Sequence, residues 1–291
     1  MASRGAERTH LDSGGRHEGF LRHRRFRWLK VAAFLSLIAV VVYLTVDVQP
    51  RHNGGSWLGY MLGTIGALLI LWLTMLGLRK RAITSGRWSL KAWTSAHVYL
   101  GLSLIVIATL HTGFQFGLNV HTLAYALMMI VIVSGIYGIS VYATLPDELS
   151  DTRAEMTKPQ MLDTVHKLDR QLQISAQPLT VEDTEIVRLS MSEDPFRGGL
   201  IRRLTGNHGT CRNARALALM RARRAGSAGD EAKAIDNVVD LLERKGAALT
   251  RIRRHLRIRA LLEVWLYVHV PLTFALIAAL AAHIVSVFFY W

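Results

Sequence analysis

The sequence predicts an all-α membrane protein with five transmembrane helices. Apolar residues make up 51% of the 291 residues, and they form long blocks instead of recurring at the spacing of a soluble helix or strand. Four blocks contain no Asp, Glu, Lys or Arg: residues 31–46, 56–78, 92–146 and 264–291. Because a spanning helix needs about 20 apolar residues, each block is near or beyond the length of a crossing.

The first two blocks predict helices one and two. The block 31–46 is short, but Trp28 and Leu29 extend it enough to span. The residues before it are polar and rich in Arg and Gly, so we expect residues 1–28 to form a disordered basic tail.

The third block is too long for a single crossing. It contains 55 uncharged residues, and turn-forming and polar residues lie near its middle at Gly117, Asn119 and His121. It therefore predicts helix three over residues 93–116 and helix four over residues 122–144. The last block predicts helix five. This places helices one to four in 29–146, an insertion in 147–259 and helix five in 260–291.

Basic residues are distributed unevenly between the loops, and this asymmetry predicts an orientation. Eight precede helix one, five lie between helices two and three, and 21 lie in residues 147–259, so 34 of the 35 Lys and Arg residues fall on one side of the membrane. Cytoplasmic loops collect such residues. We therefore expect a prokaryotic inner-membrane protein with a cytoplasmic N-terminus, an extracytoplasmic C-terminus and a cytoplasmic insertion. The spread of this charge over membrane-proximal loops argues against a nucleic-acid partner.

Two pairs of histidines lie inside the predicted spans. His97 and His111 are 14 positions apart on helix three, and His269 and His283 are 14 positions apart on helix five. Fourteen residues make almost four helical turns and rise by about 21 Å, so each pair lies on one face at opposite depths. Helices three and five run in the same direction. His97 and His269 should therefore share the cytoplasmic depth (the inner pair), and His111 and His283 the outer depth (the outer pair).

This arrangement predicts a four-helix bundle, helices two to five, around two haems. Two facing helices can clamp two porphyrin rings when each iron takes one neutral imidazole from each helix. Histidines bonded between helices and a proton relay are the alternatives. Zinc is disfavoured because the members of a pair are about 21 Å apart and no Cys or carboxylate stands beside them. His52 and His121 are expected to be interfacial residues.

The paired histidine helices resemble the dihaem transmembrane cytochromes b, a group that includes the cytochrome b of quinol-oxidising complexes and the transmembrane domain of ferric reductases and NADPH oxidases. The resemblance covers residues 56–146 and 261–291 and implies haem-ligand roles for His97, His111, His269 and His283 only. Five-helix cytochrome b subunits that anchor respiratory dehydrogenases are also similar. Ferric reductases and NADPH oxidases usually carry a flavin and nicotinamide domain, which we do not expect in this chain.

The insertion is predicted to be mainly helical. An amphipathic stretch covers residues 161–172, a second helix is expected over 212–224, and a third from about Asp230, with an apolar stripe that leads toward helix five. Residues 178–200 remain open between short strands and a loop. The insertion contains neither GxGxxG after a strand nor GxxxxGK[ST]. Cys211 is the only cysteine, which excludes a cysteine-ligated iron–sulfur cluster, an intrachain disulfide and CxxCH haem attachment.

Three functions fit these observations. The first is a dihaem b-type cytochrome that carries electrons across the membrane as the membrane subunit of an oxidoreductase complex. A self-standing ferric or quinone reductase and a histidine-using metal or proton transporter are the alternatives. For the first, the expected partners besides membrane lipid are a cytoplasmic redox protein or quinone/quinol and an extracytoplasmic electron acceptor or donor.

Overall fold

A computed structural model of the chain describes residues 21, 23–49, 51–81, 89–143, 158–197, 199–206 and 211–289. Every regular element within these residues is a helix, in agreement with the predicted all-α class. In chain order they are α1 (His23–Thr45), α2 (Trp57–Arg81), α3 (Leu90–Thr112), α4 (Val120–Ala143), α5 (Lys158–Ser175), α6 (Val181–Met191), α7 (Leu200–Thr205), α8 (Arg212–Arg224) and α9 (Gly229–Phe289).

Five of these helices, α1 to α4 and α9, are long and apolar enough to cross a membrane. This result confirms the five predicted apolar spans. Most of the predicted disordered tail, 1–28, lies outside the described residues, but its last residues belong to α1. Arg24, Arg25 and Phe26 have left-handed backbone angles, so the regular right-handed helix starts only after them.

Helix α3 ends earlier than the sequence predicted, at Thr112 instead of residue 116. Gly113 has φ 57° and its N–H donates to the carbonyl of Leu110, which caps the helix. Phe114 also has a positive φ, so the right-handed helix cannot continue through it. At the other end, the Ser89 side chain accepts a hydrogen bond from the N–H of Ala92, and this cap sets the start of α3.

The chain divides into two compact units. Unit 1 comprises Met1–Tyr137 and Tyr267–Trp291, and unit 2 comprises Gly138–Leu266. In unit 1, α3 packs against α1 and α2. Its buried residues Ala96 and Leu104 join a core cluster that also contains Met128 of α4 and Leu276 of α9. Helix α3 therefore contributes to a core shared by all five apolar helices.

The core of unit 2 is formed by α5, α6, α8 and the first part of α9. One buried cluster contains residues from all four helices: Leu172 of α5, Val187 of α6, Met220 of α8 and Leu242 of α9. The sequence left residues 178–200 open between strands and loop, and both readings are wrong for Val181–Met191, which forms α6. Thr180 caps this helix by accepting from the N–H of Asp183.

A buried polar network also connects the helices of unit 2. The Lys245 ammonium is fully buried and donates to Asp169 on α5 and, at 2.7 Å, to the carbonyl of Ser190 on α6. The Ser190 hydroxyl donates to Oδ1 of Asn213 on α8 at 2.7 Å, and Nδ2 of Asn213 donates to the carbonyl of Leu242 at 3.0 Å. Each buried group therefore has a partner, and the network fixes the relative positions of α5, α6, α8 and α9.

Candidate haem-ligand histidines

Both histidines of α3 are held by carbonyls of α2. The Nδ1–H of His97 donates to the carbonyl oxygen of Leu73 at 3.0 Å, and the Nδ1–H of His111 donates to that of Gly59 at 2.8 Å. Gly59 and Leu73 are themselves 14 positions apart. The spacing of the histidines on α3 is therefore matched by the spacing of their acceptors on α2.

These contacts determine which ring nitrogen carries the proton. A carbonyl oxygen can only accept, so Nδ1 of His97 and of His111 must be protonated. In the neutral imidazole the lone pair then lies on Nε2, which is the form that binds a metal. A hydrogen bond from the non-ligating nitrogen to a backbone carbonyl is also the usual support of a metal-bound histidine. His97 and His111 are both half-buried.

Gly63 makes the position of the His111 ring possible. A Cβ at residue 63 would lie 2.7 Å from Cε1 and 2.9 Å from Nδ1 of His111. Gly66, one turn further along α2, would place its Cβ no closer than 3.9 Å to any side chain. Gly63 therefore leaves room for the imidazole of His111.

Both histidines of α9 contact side chains of α4. Nδ1 of His269 lies 3.2 Å from the Ser134 hydroxyl, and Nδ1 of His283 lies 2.5 Å from Nδ1 of His121. Gly135 follows Ser134, and a Cβ there would make an ordinary 3.8 Å contact with the His269 ring. Helix α4 therefore supports the histidines of α9, as α2 supports those of α3.

The two histidines of the outer pair lie close together. The ring centres of His111 and His283 are 5.9 Å apart and their planes are nearly perpendicular. Two imidazoles on opposite sides of one metal ion have ring centres about 6 Å apart, because each metal–nitrogen bond is about 2 Å long. The ring separation of the outer pair matches this spacing.

Several supporting groups were not found from the sequence. His121 was predicted only as an interfacial residue; it is exposed, and its ring centre lies 4.6 Å from that of His283. The carbonyls of Gly59 and Leu73 have no side-chain signature, although the presence of polar Ser134 in an apolar helix was a visible signal. Within the described residues, no three His, Cys, Asp or Glu side chains form a cluster that could hold a metal ion by themselves.

The arginines at the membrane end of the predicted insertion differ in their surroundings. Arg253 forms an ion pair of 2.5 Å with Glu193, and only 14% of its side chain is exposed. It also contacts Sγ of Cys211 at 3.3 Å. Arg257 is exposed and donates to the carbonyl of Leu204. Arg253 therefore has a structural role. The other arginines of this segment are exposed to solvent: Arg251, Arg254, Arg257 and Arg259.

Comparisons with models of known protein families, with curated protein sequences and with solved structures gave no match.

Proposed function

We propose that this protein is a dihaem b-type cytochrome that carries electrons across a membrane as a subunit of an oxidoreductase complex. The observation that carries the proposal is the geometry of the outer pair. His111 and His283, on two different apolar helices, have ring centres 5.9 Å apart, and the Gly59 carbonyl leaves Nε2 of His111 free to bind a metal.

The histidines of the inner pair also contact neighbouring helices. His97 is tied to a carbonyl of α2 and His269 contacts a hydroxyl of α4, so each histidine of this pair also has an orienting partner. The 14-residue spacing puts the two levels about 21 Å apart along the helices. Haem iron bound at each level would supply one-electron chemistry. The protein residues hold and orient the ligands and surround them with apolar side chains.

The orientation and the partners follow from charge. With Lys and Arg on the cytoplasmic side, the inner pair lies at the cytoplasmic depth of the membrane and the insertion faces the cytoplasm. We propose that a cytoplasmic redox protein docks there, because the exposed Arg251, Arg254 and Arg259 would attract an acidic carrier. A quinol is the alternative source of electrons, and an extracytoplasmic acceptor would take them from the outer level.

A reduced-minus-oxidised spectrum with haem extraction tests the cofactor. Purified protein should contain two non-covalent haems b per chain. His111→Ala and His283→Ala should each remove the same haem, and His97→Ala and His269→Ala the other. His52→Ala is the matched control, because its ring packs on Tyr43 and it belongs to neither pair. Wild-type protein without haem would end the proposal.

Substitutions that remove the positive charge of the arginines test the docking site. Arg251→Gln, Arg254→Gln and Arg259→Gln together should slow reduction by cell extract, most strongly at low salt, while dithionite still reduces both haems. The control triple is Arg170→Gln, Arg188→Gln and Arg215→Gln, which removes the same charge from other exposed positions of unit 2. If both triple variants slow reduction equally, or if neither slows it, this surface is not the docking site.

A further inference from the structure

His121 has a specific relation to one candidate ligand. Its Nδ1 lies 2.5 Å from Nδ1 of His283, and the two ring planes are nearly perpendicular, with centres 4.6 Å apart. Two ring nitrogens can approach in this way only if one carries a proton and the other offers its lone pair. The contact is therefore a hydrogen bond between the imidazoles.

The direction of this hydrogen bond follows if His283 binds a metal. A neutral His283 that coordinates through Nε2 must carry its proton on Nδ1, so that nitrogen donates. His121 then accepts at Nδ1 and carries its own proton on Nε2. His121 is exposed, so its Nε2–H remains available to water or to lipid headgroups.

The other three candidate ligands have different partners at Nδ1. Nδ1 of His97 and of His111 donates to a backbone carbonyl, and Nδ1 of His269 meets a serine hydroxyl. His283 is the one candidate ligand whose partner is another imidazole. Resting on the proposed function, we infer that His121 is a positioning residue for the outer haem: it orients His283 and, by accepting a hydrogen bond from its Nδ1–H, increases the electron donation of that ligand.

This role predicts an effect on the outer haem alone. An acceptor on the non-ligating nitrogen makes an imidazole a stronger donor and favours ferric iron. Removing the acceptor should therefore raise the midpoint potential of the outer haem. Loss of such a supporting partner costs about 10–100-fold in metal affinity, so the outer haem should also be lost more readily during purification. The inner haem serves as the internal reference.

The experiment is a redox titration of the visible spectrum, with haem content, on the full chain in detergent. His121→Ala should raise the potential of the haem that His283→Ala removes, lower the occupancy of that haem and leave the other haem unchanged. His121→Asn should restore both properties, because its amide oxygen can accept from Nδ1 of His283. His52→Ala is the control for loss of an imidazole elsewhere in unit 1.

The outcomes separate this inference from the proposed function. Two haems in the wild type, with both potentials and occupancies unchanged in His121→Ala, would overturn the positioning role and leave the cytochrome intact. Equal loss of both haems in His121→Ala would also overturn it, because His121 would then support only the fold. Wild-type protein without haem would overturn the proposed function, and this inference with it.

Discussion

Gly63→Ala is the substitution for which the structure predicts the most specific effect. The new Cβ would lie 2.7 Å from Cε1 of His111. Carbon atoms in contact are about 3.5–4.0 Å apart, so the ring must move by roughly 1 Å. The hydrogen bond from His111 to the Gly59 carbonyl, now 2.8 Å, would then exceed the usual limit of about 3.2 Å.

The expected cost follows from that hydrogen bond. A hydrogen bond of this kind contributes about 1 kcal/mol net, and loss of the support of a ligating histidine typically weakens metal binding about 10–100-fold. At 1.4 kcal/mol per factor of ten, this corresponds to about 1.4–2.8 kcal/mol. Helix propensity acts in the opposite direction, because Gly to Ala inside a helix normally stabilises by about 0.5–1 kcal/mol. A loss of haem affinity in Gly63→Ala would therefore result from displacement of His111 and not from destabilisation of α2.

The assay is haem retention and the reduced-minus-oxidised spectrum of purified protein. Gly63→Ala should lose the haem that His111→Ala also loses and should retain the other. Gly66→Ala is the matched control, since its Cβ would meet Ile107 and Leu104 at 3.9–4.0 Å, and it should keep both haems. If Gly63→Ala binds two haems as tightly as wild type, the ring position of His111 does not depend on this glycine and the reasoning is wrong.

Three further predictions concern unit 2. Lys245→Ala should destabilise it by about 3–5 kcal/mol, because Asp169 would lose its buried partner; thermal unfolding measures this, and the double variant with Asp169→Asn should recover part of the loss. Burial alone would raise the pKa of Asp183, but hydrogen bonds from Arg223 and Thr180 outweigh burial and hold that pKa below its unfolded value of 3.8. The stability that Asp183 contributes is therefore present above pH 3.8 and lost as the pH falls through the folded pKa, a loss that Asp183→Asn should lack in acid-unfolding curves. Cys211 is half-exposed, and an impermeant thiol reagent should miss it in intact cells and label it after lysis.

Each of these has a result that contradicts it. If the double variant is no more stable than Lys245→Ala alone, Lys245 and Asp169 are not energetically coupled. An acid-unfolding curve for Asp183→Asn that parallels the wild type would show that this carboxylate has no part in acid stability. Labelling of Cys211 from outside intact cells would reverse the orientation and exchange the inner and outer levels.

Helix content inside unit 2 shows where sequence patterns fell short. Helix α8 coincides with the predicted range 212–224, and α9 follows the predicted apolar stripe from Gly229. Helix α6 is only 11 residues long, so periodicity did not separate it from a short strand or a loop. Its N-terminal cap was nevertheless visible, because Thr180 followed three residues later by Asp183 is a capping pattern.

The sequence by itself determined the apolar spans and the repeated 14-residue spacing of the histidines, because hydrophobic length and helical pitch are local properties that do not depend on neighbours. It also determined that each pair of histidines shares one face of its helix. The tertiary structure decided what holds them. The carbonyls of Gly59 and Leu73 and the ring of His121 become partners only through the packing of α2 on α3 and of α4 on α9. Backbone carbonyls are the same in every residue, and the register between two apolar helices depends on how their side chains interlock, so neither can be read from spacing along one chain.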